Sequence, residues 1–300
     1  DAADVLDFDF MKALRQTANE VKPEFWLMGE VIHGDYTRWV NEGTLHSVTN
    51  YQLHKALYSG HNDHNYFEIA HTVRRLYEMG GNRPDGLKLY NFVDNHDVER
   101  IYTKLQNKAQ FFPVHVLLYT LPGIPSIYYG SEFGIEGKKE RYSDDSLRPA
   151  LQLADYKNAA TENPCTRLIT ALGKIRQQTK ALSLGDYKEL LLTNRQYAFS
   201  RDMNGTSVVV TVNNDENPAQ IHVAAWPNGC PGHSWQNVSC DRTEIGHKAA
   251  LCAGKVLAAT AIDLFEDTSL LDEARAEFEK RTKDGYVCPI PKDAVPVIPD

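Results

Sequence analysis

The feature that most constrains this chain is an alternation. Short apolar runs of strand length, each closing on polar residues, are followed by sequence of helical period. Residues 7–21 read as an amphipathic helix, with Asp7 as cap and Phe10, Met11, Leu14, Ala18 and Val21 at helical spacing, and Pro23 ends it. Residues 25–31 (FWLMGEV) then form a continuous apolar run. Further strands are predicted at 46–50, 88–93 (KLYNFV) and 126–129 (SIYY), with helices at 51–58, 66–79, near 108–119 and at 166–181. Runs apolar on both faces suit strands buried on both faces, so the pattern predicts four βα units of a parallel sheet.

After Gly185 the pattern changes. Residues 197–201 and 206–213 (TSVVVTVN) have strand character and are separated by the turn signal Asn204-Gly205. The reading is therefore an α/β domain over 1–185 and a small all-β sandwich over 186–300. Within the second, 226–254 reads as loop-rich, 270–283 as a charged helix, and the Pro-rich stretch 289–299 as extended surface chain.

Composition narrows the function classes. With 32 basic against 40 acidic residues the net charge is -8, which argues against a nucleic-acid partner. The most apolar stretch, 111–129, is broken by Pro113, Pro122 and Pro125, and no run reaches the roughly 20 residues of a membrane helix. A soluble, cytoplasmic protein without a membrane partner is expected. The five cysteines lack zinc-ligand spacing; three of them (Cys230, Cys240, Cys252) cluster, which leaves room for one local bridge.

Three carboxylates stand where chemistry is expected. Glu30 closes WLMGE, Asp97 closes NFVDNHD, and Asp1 opens the chain ahead of its first helix. In a parallel α/β barrel, reactive groups sit at the C-terminal ends of strands. Glycoside cleavage needs one protonated carboxyl to donate to the leaving oxygen and one ionised carboxyl to attack or activate water. Helix caps and surface charges can produce the same spacing, so spacing by itself is weak. For Glu30 a functional role is the simpler account, because an unpaired structural charge in an apolar strand is costly.

The strings around these residues carry more. GEV at 29–31, FVDNHD at 92–97 and PGIPSIYYGSE at 122–132 together resemble the α-amylase family, glycoside hydrolase family 13. The resemblance implies Glu30 as general acid/base, Asp97 as the Asp that binds sugar hydroxyls and stabilises the transition state, and His96 as a sugar contact. Asp1, followed by Ala2 and Ala3, fits the nucleophile of an RxDxA motif. Asp94 competes with Asp97, and the NHD match favours Asp97. His33, Arg148 (in SLRPAL) and Arg100 are further substrate-binding candidates. Each has a structural alternative: a satisfied histidine, a surface salt bridge, or a brace for Asp97. Trp39, Tyr128 and Tyr129 read as packing residues before sugar platforms.

The resemblance also implies an eight-stranded barrel, of which four strands are visible. The expectation is the C-terminal half of a (β/α)8 TIM barrel, whose main partner is the N-terminal half of the same protein. No cofactor or catalytic metal is expected, and the usual ligands of a structural calcium would lie upstream. The implied activity is retaining hydrolysis of α-1,4-glucosidic bonds in an α-glucan or maltooligosaccharide. A transglycosylase of the same family and a non-catalytic amylase-like binding protein are the alternatives.

Overall fold

The computed structural model describes residues 1–81, 87–217, 226, 230, 234–266, 268–283 and 285. The chain divides into two compact units, Asp1–Ala219 and Gln220–Asp300.

In the first unit, α1 (Phe8–Val21) starts where the sequence places it. The Asp7 carboxylate accepts hydrogen bonds from the Asp9 and Phe10 amides at 2.9 and 3.2 Å. Of its apolar stripe only Met11 is buried, while Phe10 and Val21 are 56% and 81% exposed. Four short strands follow: β1 (Met28–Gly29), β2 (Ser47–Val48), β3 (Tyr90–Asn91) and β4 (Ile124–Pro125). β1 pairs parallel with β2, β3 pairs parallel with β4, and a parallel bridge between Thr49 and Tyr90 joins the pairs. The predicted run at 126–129 continues past the ladder into a turn, where the Ser131 amide bonds to the Tyr128 carbonyl at 3.0 Å.

β1 leads through a single 3-10 turn (Tyr36–Arg38) to β2, and the other three strands feed helices: α2 (Tyr51–Asn62) and α3 (Tyr66–Leu76), then α4 (Ile101–Lys104) and α5 (Phe111–Thr120), then α6 (Ala159–Glu162), α7 (Pro164–Gln178) and α8 (Lys180–Leu184). Pro113 costs α5 nothing, because it lies in the first turn, where amides have no intrahelical acceptor. A ladder of amides fixes the strand ends. Asn50 donates to Asn91 Oδ1 at 2.8 Å, and Asn91 donates to the Pro122 carbonyl at 2.9 Å.

The chain then forms an antiparallel meander of β5 (Asp186–Leu192), β6 (Gln196–Met203) and β7 (Thr206–Asn213). Asn204 and Gly205, both at positive φ (50° and 78°), make the predicted turn. This sheet does not begin a separate domain. Tyr187, Tyr197, Phe199, Val210 and Val212 lie in the same core as Leu57, Ile69, Phe111 and Leu117 of the helices. Arg201, buried, also donates to the Thr120 carbonyl at the end of α5. The expected boundary at 185/186 therefore differs from the compact division after Ala219, because the inward face of the meander is apolar and needs the helices to cover it.

The second unit also departs from the all-β expectation. Its described residues form α9 (Trp235–Asp241), α10 (Glu244–Glu266) and α11 (Ser269–Arg281). Only α11 matches a predicted helix. The stretch read as loop-rich holds α9 and the first part of α10, whose Ala, Leu and Lys content favours a helix over its isolated glycines. The Pro-rich stretch 289–299 and Cys288 lie outside the described residues. Among the described residues no local bridge forms: Cys240 and Cys252 carry thiols, and Cys230 is a hydrogen-bond partner of Cys240. Among the described residues, too, no helix is long and apolar enough to cross a membrane.

Candidate active site

Beyond the C-terminal ends of β1 and β3 lies a cavity of about 320 Å³, whose walls include Asp1, Glu30, Asp94, Asn95, His96 and Tyr128. Glu30 follows β1. Its backbone is held by the Ala3 amide, which donates to the Glu30 carbonyl at 2.8 Å, and its neighbour Val31 donates to Thr49 Oγ1 at 2.9 Å. Asp97 stands in a turn shaped by Asn95, whose Oδ1 accepts from the Asp97 and Val98 amides at 2.9 and 3.1 Å. The result is a cluster: polar side-chain atoms of Glu30, His96 and Asp97 all lie within 4.8 Å of one another. Asp1 is exposed and lines the same cavity from the start of the chain.

The two carboxylates of the NFVDNHD string are sorted by environment. Asp94 is 2% exposed, accepts from Ser131 Oγ at 2.7 and 2.8 Å and from the Ile101 amide at 2.8 Å, and has its pKa raised by burial. Its oxygens are committed to structure. Asp97 is half-exposed, with its Oδ1 2.7 Å from Arg148 Nη2 and its Oδ2 3.3 Å from His96 Nε2.

The two arginines and His33 take different places around the cluster. Arg148 Nε donates to the His96 carbonyl at 2.9 Å while Nη2 holds Asp97, so this side chain grips the NHD turn. Arg100 is 0% exposed and is not available to a substrate. It donates to the carbonyls of Tyr129 and Leu147 at 2.6 and 2.7 Å and to Ser131 Oγ at 3.2 Å, with its guanidinium 4.3 Å from the Tyr128 ring centre. A charge so deeply enclosed is tolerated because several acceptors converge on it and the Asp94 carboxyl lies nearby. His33 is exposed on the loop after β1 and is not among the cavity-lining residues. Trp39 is buried and packs against Phe8 at 6.4 Å between ring centres.

Sequence reasoning missed Tyr51, the first residue of α2. Its phenol donates to Glu30 Oε1 at 2.8 Å and accepts from Asn95 Nδ2 at 3.0 Å. Burial, with the Glu30 and Asp97 charges adding to it, pushes the Tyr51 phenol well above its usual range. The signal that found Glu30, a polar residue just past a predicted strand, was present at Tyr51 as well.

Parallel strands that bring Glu30, His96 and Asp97 together beside one cavity at their C-terminal ends define an α/β-barrel type of enzyme site. The chain belongs to the α-amylase family: residues 5–183 match "Alpha amylase, catalytic domain". It is similar to a cyclomaltodextrinase of Thermoanaerobacter pseudethanolicus, 29% identical over 220 residues, covering 71% of this chain and 36% of that protein. Among solved structures it resembles the cyclic α-maltosyl-(1→6)-maltose hydrolase of Arthrobacter globiformis, with TM-score 0.62, 19% identity, and coverage of 71% of this chain and 47% of that one. This second likeness is one of fold. A shorter match, 44% identical over 79 residues, is to one of the subunits of the p-aminobenzoyl-glutamate hydrolase of Escherichia coli; it covers 26% of this chain and 16% of that protein. The chain thus spans well under half the length of the curated relatives it matches.

Proposed function

We propose that the cavity at the ends of β1 and β3 is the cleavage site of a retaining glycoside hydrolase acting on α-1,4-glucosidic bonds. The observation that carries this reading is the convergence of Glu30, His96 and Asp97 within 4.8 Å, beside a cavity whose walls include Glu30, His96 and Asp1. Glu30 protonates the glycosidic oxygen while Asp1 attacks the anomeric carbon, forming a covalent glycosyl-enzyme. Asp97 and His96 hold the sugar as positive charge builds on its ring. Glu30 then takes a proton from water as the water oxygen attacks the anomeric carbon and displaces the Asp1 carboxylate, which releases the sugar with its configuration kept and leaves Glu30 protonated again. Retention requires Asp1 and Glu30 carboxyls about 5–5.5 Å apart in the substrate complex. Proton NMR of the first-formed anomer tests the stereochemistry. An α product is expected, and a β product refutes the mechanism. Transfer to an acceptor sugar in place of water uses the same residues, and adding maltose as acceptor measures it.

The parallel sheet is read as the second half of a (β/α)8 barrel, completed by the first half of the same protein. The exposed Phe10, Val21 and Trp26, together with the partial coverage of the relatives, support this. On this reading an incomplete barrel is inactive toward maltooligosaccharides, and turnover by a 300-residue monomer would refute it.

A second reading concerns the unit Gln220–Asp300. The amylase match ends at residue 183, and the 79-residue match is close to the length of this unit. We read the unit as a segment of separate descent that takes no part in sugar cleavage. As the 79-residue match covers only 16% of its relative, no hydrolysis of p-aminobenzoyl-glutamate is expected; measured release of p-aminobenzoate would overturn that.

A further inference from the structure

We propose that Tyr51 is a positioning residue whose phenol, shared between Glu30 and Asn95, holds the acid carboxyl to the turn that carries Asp97. The inference rests on Glu30 being the acid, as proposed above, and goes on to say what aims it.

Four groups form a chain of fixed direction. Asn95 Oδ1 is committed to the Asp97 and Val98 amides, so its Nδ2 must face Tyr51. That nitrogen donates to the phenol oxygen at 3.0 Å, and the phenol proton is left to donate to Glu30 Oε1 at 2.8 Å. No step of this order can be reversed, because an amide nitrogen has no lone pair to accept with. With Oε1 occupied, Oε2 is the oxygen that serves the glycosidic bond.

Packing does not account for the hydroxyl. The Tyr51 ring meets Phe92 edge-on, with centres 4.9 Å apart and planes at 81°, a contact that phenylalanine would make equally well. What the hydroxyl adds is chemical. As the Glu30 Oε2 proton moves to the leaving oxygen, negative charge appears on the carboxyl, and the Tyr51 bond becomes charge-assisted and stronger. The phenol keeps its own proton throughout. Such an interaction is greater in the transition state than in the ground state and so accelerates the step. It also ties the strand-end positions of Glu30 and Asp97, which come from separate βα units, to one another.

The test uses the full-length protein in three forms: wild type, Tyr51→Phe and Glu30→Gln. Tyrosine labelled with carbon-13 at Cζ reports the contact directly, and the Tyr51 signal is the one that Tyr51→Phe removes. It should shift in Glu30→Gln; an unmoved signal overturns the proposal whether or not the protein turns over. Kinetics then separate aiming from folding. On maltooligosaccharides Tyr51→Phe should lower kcat about 10- to 100-fold, the range for one hydrogen bond to a charged group, with little change in KM. On dinitrophenyl α-maltoside, whose leaving group needs no proton, it should stay close to wild type. An equal loss on both substrates marks a merely structural residue and overturns the proposal. Full activity of Glu30→Gln on maltooligosaccharides would instead remove the acid assignment itself, a distinct failure.

Discussion

Arg148 holds Asp97 and His96 at once: its Nη2 lies 2.7 Å from Asp97 Oδ1, and its Nε donates to the His96 carbonyl at 2.9 Å. Two bonds from one planar group fix the turn in orientation as well as in distance.

Arg148→Lys keeps the charge and loses the fork, so it should behave much like Arg148→Ala. Both should lower kcat/KM by about 10- to 100-fold through misplacement of Asp97. The side chain is 45% exposed, and solvent screening keeps its worth to stability below about 1 kcal/mol. Steady-state kinetics beside urea unfolding separates the two effects; an equal loss of stability would contradict the assignment.

Arg100 should behave in the opposite way. Arg100→Met leaves the Tyr129 and Leu147 carbonyls and the Ser131 hydroxyl short of a buried donor, at about 1–3 kcal/mol each. A loss of at least about 3 kcal/mol in urea unfolding is expected. A variant of normal stability with a raised KM would restore Arg100 to the substrate-binding set.

Three buried histidines predict acid sensitivity. Burial pushes His54, His61 and His115 down from 6.5 to about 4. Above pH 6.5 each is neutral in both folded and unfolded chains and contributes no pH dependence. Between pH 6.5 and 4 the unfolded chain takes up protons that the folded one refuses. Stability therefore falls with acidification, by about 1.4 kcal/mol per pH unit for each histidine. Asp94, raised by burial, works in the opposite sense at the acid end, and the histidines outnumber it. Urea midpoints measured from pH 7 to 4.5 should fall steadily, whereas a flat profile would contradict the burial of these rings. His115→Phe should flatten the slope by about one third of the three-histidine sum.

The meander is part of the first unit, so damage to it should spread. Phe199 is fully buried among residues of the helical core, and Phe199→Ala should cost about 3–5 kcal/mol. Fluorescence of Trp26 and Trp39, far away in sequence, should report the same shifted transition. A separate, earlier transition for the sheet alone would favour the boundary at 185.

Much of this protein was legible in one dimension. The capped first helix, the four apolar runs and the Asn204-Gly205 turn follow from periodicity and local backbone preference, which act over a few residues. The strings holding Glu30, His96 and Asp97 were readable through their resemblance to the α-amylase family. The roles of Arg100 and Arg148 were not, since two arginines in the loops that follow β3 and β4 look alike until burial separates them. One is enclosed by carbonyls from the loops around Tyr129 and Leu147, and the other lies open beside Asp97.

The sequence by itself determined the family, the βα order and the residue types of the site. Only the tertiary structure decided which carboxylate of NFVDNHD is buried and which stays half-exposed beside Glu30, that Tyr51 joins Glu30 to Asn95, and that the meander shares a core with α2, α3 and α5. Those outcomes depend on contacts between segments tens of residues apart. Local preference is blind to such contacts, because burial and hydrogen-bond partnership exist only once the segments have met.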